Sequence, residues 1–186
     1  GRYVADPEVF NLELKAIKEV RDKRNNLHLM IPFVRSVREL IGIKKMIYAS
    51  GLKRNSAFKL WMMVELPVNV ISLPDFIAVG IDGVSIGTND LTMLILGTDR
   101  DNQEISRSYN EMDPAVLWAL ERVITLSVKA NVTCSVCGQA PSVYPELTEN
   151  LVKWGITSIS VTPDRIDATR RLVYEAESRI INHKWL

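Results

Sequence analysis

Short apolar runs alternate along this chain with longer stretches whose apolar residues recur every three or four positions. The first pattern predicts buried strands and the second amphipathic helices, because side chains repeat every two residues on a strand and about every 3.6 on a helix. Residues 8–24 open with the helical pattern: Val9, Leu12, Ala16, Ile17 and Val20 fall near helical spacing, behind Asp6 and Pro7 as cap and first-turn pair. Residues 28–34 (HLMIPFV), bounded by Asn25–Asn26 and Arg35, predict a strand. Ser36 and Glu39 form a capping box ahead of a helix that Gly51 ends. A strand follows at 58–67 (FKLWMMVELP), a short helix at 69–78, and a strand running into a turn at 83–90 (GVSIGTND). Residues 97–112 form a long polar loop, and Asp113–Pro114 opens a helix at 114–130 with Val116, Leu117, Leu120, Val123 and Ile124 on one face. A strand at 131–138, a helix at 141–155 closed by Gly155, a strand at 156–163 and a helix at 164–181 complete the pattern.

The order is a helix followed by five strand–helix units, which predicts an α/β fold with a parallel sheet and helical crossovers. Two architectures satisfy it: an open doubly wound sheet, or part of a (β/α)₈ barrel. A full TIM barrel needs eight strands and roughly 250 residues, so 186 residues hold about five of its eight strands. The length suits one domain, residues 1–186, with a core that needs no staples. No Gly-rich dinucleotide fingerprint and no P-loop occurs.

Composition narrows the class. With 47% hydrophobic and 24% charged residues the sequence is that of a folded globular domain. Lys and Arg number 23 against 22 Asp and Glu, which argues against nucleic acid as a partner. No apolar run reaches the roughly 18 residues of a membrane span, and no signal-peptide pattern opens the chain. Two cysteines are too few for a disulfide framework, so a reducing, cytoplasmic setting is the expectation. Because it opens on Gly1 rather than Met, the chain is expected to be processed or part of a longer one.

In either architecture ligands gather at the carboxyl ends of the strands. Those ends carry Glu65, then Asn89 and Asp90, then Cys137 and Gly138. A carboxylate closing so apolar a strand as Leu60–Val64 needs a partner; a divalent cation and a neighbouring Lys or Arg serve equally. Asn89 or Asp90 is expected to cap a short helix, 91–96, ended by Gly97. The same turn can present backbone N–H groups to an anion, with Gly87 allowing close approach and Asp90 giving a second hard oxygen beside Glu65. Two carboxylates completed by substrate oxygens and water is the usual way of holding Mg²⁺, and the same ligands suit Mn²⁺. Cys134 and Cys137 resemble a C-x-x-C pair, but a zinc site needs about four ligands. Their odd separation on a strand turns them to opposite faces, so Cys134 is a buried apolar residue and Cys137 stands at the strand end. Read alone, each is an inert thiol, Arg100 is a solvated arginine of a loop long enough to act as a lid, His28 is structural and His183 exposed.

Taken together, MVELP (63–67), GVSIGTNDLTMLILGTDRD (83–101), CGQAPSVYPEL (137–147) and WGITSISVTPD (154–164), with MIPFV (30–34) and GRYV (1–4), resemble a known family. It is the family of phosphoenolpyruvate (PEP)-utilising enzymes, which includes PEP synthase, pyruvate, phosphate dikinase and enzyme I of the sugar phosphotransferase system. The resemblance is to the C-terminal, PEP-binding TIM-barrel domain, and CGQAPS followed by an aromatic and Pro-Glu favours the synthase. It implies that Glu65 and Asp90 bind Mg²⁺, that Glu65, Gly87, Thr88, Asn89 and Asp90 contact pyruvate or PEP, that Arg100 meets the phosphoryl group, and that Cys137 exchanges a proton with the substrate carbon. It also implies a phosphohistidine domain of the same enzyme as partner; a homo-oligomer is expected separately, because an incomplete barrel exposes two sheet edges that invite pairing with another copy. Two positions depart from the family pattern: Met93 stands where a Gln is usual, and Val68 where a Ser is common. The strands and arginines that precede this segment in the family, its nucleotide domain and its phosphohistidine domain have no counterpart here, so net synthase activity is not expected of this chain alone. A non-catalytic half-barrel that pairs through exposed sheet edges, or a Mg²⁺-dependent lyase-type barrel acting on small carboxylic acids, are the alternative readings.

Overall fold

The computed structural model describes residues 6–99 and 108–183, apart from the side chains of Ser142 and His183. Arg100, the rest of the segment to 107, the opening GRYV and the His183 side chain lie outside the described residues. Five parallel strands form one sheet in the order β1-β2-β3-β4-β5: Leu29–Ile31, Leu60–Val64, Gly83–Gly87, Thr133–Cys137 and Ser158–Ile159. The helices are α1 (Pro7–Arg21), α2 (Val37–Ala49), α3 (Pro67–Ile71), α4 (Leu73–Ala78), α5 (Thr88–Leu96), α6 (Pro114–Lys129), α7 (Ala140–Val143), α8 (Pro145–Trp154) and α9 (Ile166–His183).

Strand order decides between the two architectures. A doubly wound sheet reverses direction at a switch point, whereas here each strand is laid beside its predecessor. Right-handed crossovers then put every helix on the same face, as in a barrel wall. Burial follows this geometry. Leu60, Met62, Val64, Val84, Ile86, Cys134 and Val136 are buried beneath the helices with Leu40, Phe76, Leu120 and Leu147. The alternate positions Trp61, Met63, Ser135 and Cys137 are only half-buried and line the concave face. Among the described residues β1 and β5 each have one neighbour, which leaves both edges of this five-stranded sheet open.

Local signals explain most boundaries. Ser36 Oγ accepts from the Glu39 N–H at 3.1 Å, while the Glu39 carboxylate accepts from Arg35 N–H at 2.8 Å, one residue earlier than in a strict capping box. Asp113 caps α6 by accepting from the Ala115 N–H. Gly51, Gly97 and Gly155 close their helices at positive φ, as expected.

Several expectations need correction. In α1 the buried residues are Phe10 and Leu14, while Val9, Leu12 and Val20 are exposed; Asp6 precedes the helix without a side-chain cap bond. Residues 69–78 are split into α3 and α4, because Pro74 has no N–H to carry one helix through. Residues 141–155 are split at Tyr144, which precedes Pro145 and takes an extended conformation (φ −115, ψ 98). Every strand is shorter than its apolar run, most of all β5, which pairs through two residues on the edge. Among the described residues no helix is long and apolar enough to cross a membrane.

Candidate functional site

The carboxyl ends of β2, β3 and β4 share one rim. Val64 pairs with Ile86, and Gly87 pairs with Cys137. Glu65 therefore follows β2 at the level where Gly87 closes β3 and Cys137 closes β4.

Glu65 is only 2% exposed. Its Oε1 accepts the Phe33 backbone N–H at 2.6 Å. Its Oε2 faces Gly87, where a Cβ would sit 3.3 Å from that oxygen and 3.2 Å from Glu65 Cβ. Burial raises the Glu65 pKa, the Phe33 N–H works against that rise, and the Asp90 carboxylate adds to it. The two carboxylates are thus close enough to repel, while the Glu65 oxygen turned toward Gly87 is left for a ligand. A cation between them would relieve both the repulsion and the desolvation.

Asn69 supports this arrangement from below. Fully buried, it donates to Val34 O at 2.7 Å and accepts from the N–H groups of Leu66 (3.1 Å) and Glu65 (3.4 Å). One amide thereby ties the loop after β1 to the loop after β2. Nothing in the sequence singles out Phe33, and Asn69 leaves only the trace of an amide two residues into a Pro-started helix.

The β3 turn differs from expectation in one respect. Helix α5 begins at Thr88 with Gly87 as its N-cap residue, so Asn89 and Asp90 sit in its first turn rather than capping it. Both are half-buried there. Thr88 Oγ1 and Asn89 Oδ1 are buried without a hydrogen-bond partner among the described residues. An unpaired buried polar atom costs about 1–3 kcal/mol. The Thr88 hydroxyl can donate to an anionic ligand at the helix N-terminus, whereas the Asn89 amide oxygen, an acceptor, calls for a donor or a cation.

Cys137 and Cys134 divide as the strand alternation requires. Cys134 is fully buried under the helices, and burial drives its thiol up to about 12 against a weaker opposing hydrogen bond from Ser127. Cys137 lies half-exposed on the concave face. Gly138 follows at φ +119, packed so closely that a Cβ would lie 2.2 Å from Thr88 Oγ1. The structure thus gathers Glu65, Gly87, Thr88, Asn89, Asp90 and Cys137 around one rim. No group of three or more His, Cys, Asp or Glu able to hold a metal occurs among the described residues, so any cation there would rely on two carboxylates and on ligand oxygens. His28 stands at the opposite end of the sheet, where Nδ1 accepts the Lys59 N–H.

A family model described as "PEP-utilising enzyme, PEP-binding domain" matches residues 1–178. The chain belongs to this family. Within it, the chain is 48% identical over 176 residues to a probable phosphoenolpyruvate synthase of Staphylothermus marinus, covering 92% of this chain and 21% of that protein. It is 47% identical to the phosphoenolpyruvate synthase of Aeropyrum pernix over the same shares. It is also 40% identical to that of Helicobacter pylori, over 98% of this chain and 23% of that protein. The chain therefore spans about a fifth of the length of those relatives. Among solved structures, a citrate lyase from Burkholderia xenovorans superposes with a TM-score of 0.60 at 19% identity, over 78% of this chain and 48% of that one. That likeness concerns the fold alone.

Proposed function

We propose that this chain is the pyruvate- and PEP-binding part of a phosphoenolpyruvate synthase (pyruvate, water dikinase), which as an intact enzyme converts ATP, pyruvate and water into AMP, PEP and phosphate. The observation that carries the reading is the common rim: a buried carboxylate with one oxygen turned to the β3 end, a second carboxylate beside it, and a half-exposed thiol on the next strand. Residues 1–186 then form one partial (β/α)₈ domain of a longer protein.

Glu65 Oε2 and Asp90 would hold Mg²⁺, with Mn²⁺ an acceptable substitute, and the mutual repulsion of the two carboxylates fits that role. When bound, the ion supplies Lewis acidity to the carboxylate and carbonyl oxygens of pyruvate. The residues do the rest. The Thr88 hydroxyl and the first N–H groups of α5 receive the substrate's negative charge, Asn89 contacts the substrate through its amide, and Gly87 leaves room for it to approach. Cys137 as thiolate takes a proton from the methyl carbon of pyruvate, and the C–H electron pair becomes the enolate. The enolate oxygen then attacks the phosphorus of a phosphohistidine carried by another domain of the enzyme. The P–N bond breaks, its electrons return to the imidazole, and Arg100 is assigned to the transferring phosphoryl group. Preceding (β/α) units of the longer protein would cover the open sheet edges and the apolar groove of about 850 Å³ between β5 and α9, lined by Val152, Ile156, Val161, Val173 and Ile181.

Titration calorimetry with Mg²⁺ and oxalate, an enolate mimic, tests the site. Binding that requires the metal and disappears in both Glu65→Ala and Asp90→Ala is the expected result. Binding unchanged in both variants, or metal-independent binding, would overturn it. The open edges also favour pairing between copies of the chain; light scattering is expected to show a homo-oligomer, and a strict monomer would count against it.

A further inference from the structure

Ser85 is the polar residue of an otherwise apolar strand. It lies at the centre of β3, 3% exposed, on the face that also carries Gly83 and Gly87. Its register partner is Ser135, and the next pair on that face is Gly87 with Cys137. The Ser85 hydroxyl donates to Cys137 Sγ at 3.5 Å. The thiol in turn donates to the Ile86 carbonyl, also at 3.5 Å.

These two contacts respond oppositely to loss of the thiol proton. The bond to the Ile86 carbonyl needs the S–H. Once it is gone, a carbonyl oxygen faces a negative sulfur and the contact turns repulsive. The bond from Ser85 needs only a sulfur lone pair, and it strengthens when the sulfur is charged, because hydrogen bonds to ions are roughly twice as strong as neutral ones. The burial of Ser85 removes competing water. Fixed in the middle of a paired strand, it requires no rearrangement as the charge appears.

We infer that Ser85 is a positioning residue for Cys137: its hydroxyl holds the sulfur on the concave face and stabilises it when charged. The inference rests on the reading of Cys137 as the proton-transfer group, but its test does not.

The test measures alkylation of Cys137 by iodoacetamide at one near-neutral pH, read by peptide mass spectrometry on the whole chain, with buried Cys134 as internal reference. Only the thiolate reacts. Ser85→Ala is expected to slow the reaction at Cys137 about tenfold, the size of one charge-assisted hydrogen bond. Ser85→Thr, which keeps the hydroxyl, is expected to restore the rate to within about threefold of the parent. Parent-like reactivity in Ser85→Ala, or equal slowing in both variants, would overturn the inference. Rapid labelling of Cys134 in a variant would show local opening; Ser85→Cys, read at Cys137 in the same assay, then decides, because its weak donor should give an intermediate rate, and a parent-like rate there overturns the inference too. Mg²⁺–oxalate calorimetry on the parent reads the proposed function separately, so a chain that fails to bind oxalate yet shows the Ser85 effect refutes the function and keeps the inference.

Discussion

Phe33 donates its backbone N–H to Glu65 Oε1 at 2.6 Å from a left-handed conformation with φ 51. A bulky residue is rare there, and the side chain offers little reason for the choice, being 40% exposed. The conformation is what aims the N–H across the rim and leaves the second carboxylate oxygen to face β3. The loop after β1 thus stores a local cost in order to orient the carboxylate.

The first prediction follows from that cost. An L-residue at this φ is strained by about 1–2 kcal/mol relative to glycine. Phe33→Gly is therefore expected to be more stable than Phe33→Ala by about 1 kcal/mol, the reverse of an ordinary site. Chemical denaturation of the two variants checks this. Equal stabilities would mean that the left-handed conformation is not held in solution.

Glu65 itself should oppose the fold at neutral pH. Burial, with Asp90 adding to it, holds its pKa above the ordinary value of 4.5. A carboxyl whose folded pKa is raised stabilises fully below its unfolded value and loses that contribution as pH rises through the folded one. Glu65→Gln keeps an oxygen for the Phe33 N–H and removes the charge. It is expected to raise the neutral-pH melting temperature by about 2–4 °C, a gain that shrinks as the pH falls toward the ordinary 4.5. Mg²⁺ with oxalate should then stabilise the parent and not the variant. A melting temperature lowered at neutral pH by Glu65→Gln would refute the electrostatic account.

Gly138 sets how closely the end of β4 approaches α5. Its φ of +119, and the 2.2 Å that would separate an added Cβ from Thr88 Oγ1, leave no room for a side chain. Gly138→Ala should cost about 2–4 kcal/mol and weaken oxalate binding along with stability. A neutral effect in thermal melts would show that the two loops are less tightly joined than this packing requires.

How much of this was legible depends on whether a property repeats along the chain or is made by chain-distant partners. Alternation placed Cys134 inside and Cys137 on the opposite face, and the order of units set the parallel sheet. The phase of α1 was misread because its pattern holds two overlapping apolar stripes, and only packing shows that Phe10 and Leu14 face inward. The rim residues Glu65, Asp90 and Cys137 could be picked out because strand ends are where ligands gather. Phe33 and Asn69 could not, since their roles arise from contacts across 32 and 35 positions of sequence. Ser85 was hidden for the same reason, its partner lying 52 residues away.

Asp82 tests whether the two ends of the sheet are separable. At the far end from the rim, its Oδ2 accepts from Arg54 Nε at 2.7 Å and from the Leu60 N–H at 2.9 Å, and Lys59 Nζ lies 3.6 Å from Oδ1. Burial alone would raise its pKa, but the Arg54 and Leu60 hydrogen bonds and the charges of Arg54 and Lys59 outweigh it and hold the carboxyl below the ordinary 3.8. The sign is opposite to that of Glu65: stability is present above the unfolded pKa and lost as pH falls through the folded one. Asp82→Asn is expected to lower stability at neutral pH by about 1–2 kcal/mol. The difference from the parent should fade only below about pH 4, where the unfolded carboxyl takes its proton. Barrel architecture assigns this end to stability and the other to chemistry, so Mg²⁺–oxalate affinity, measured under conditions where both proteins are folded, should agree within about threefold. A large loss of affinity at unchanged stability would place Asp82 in the binding machinery and break the division between the two ends.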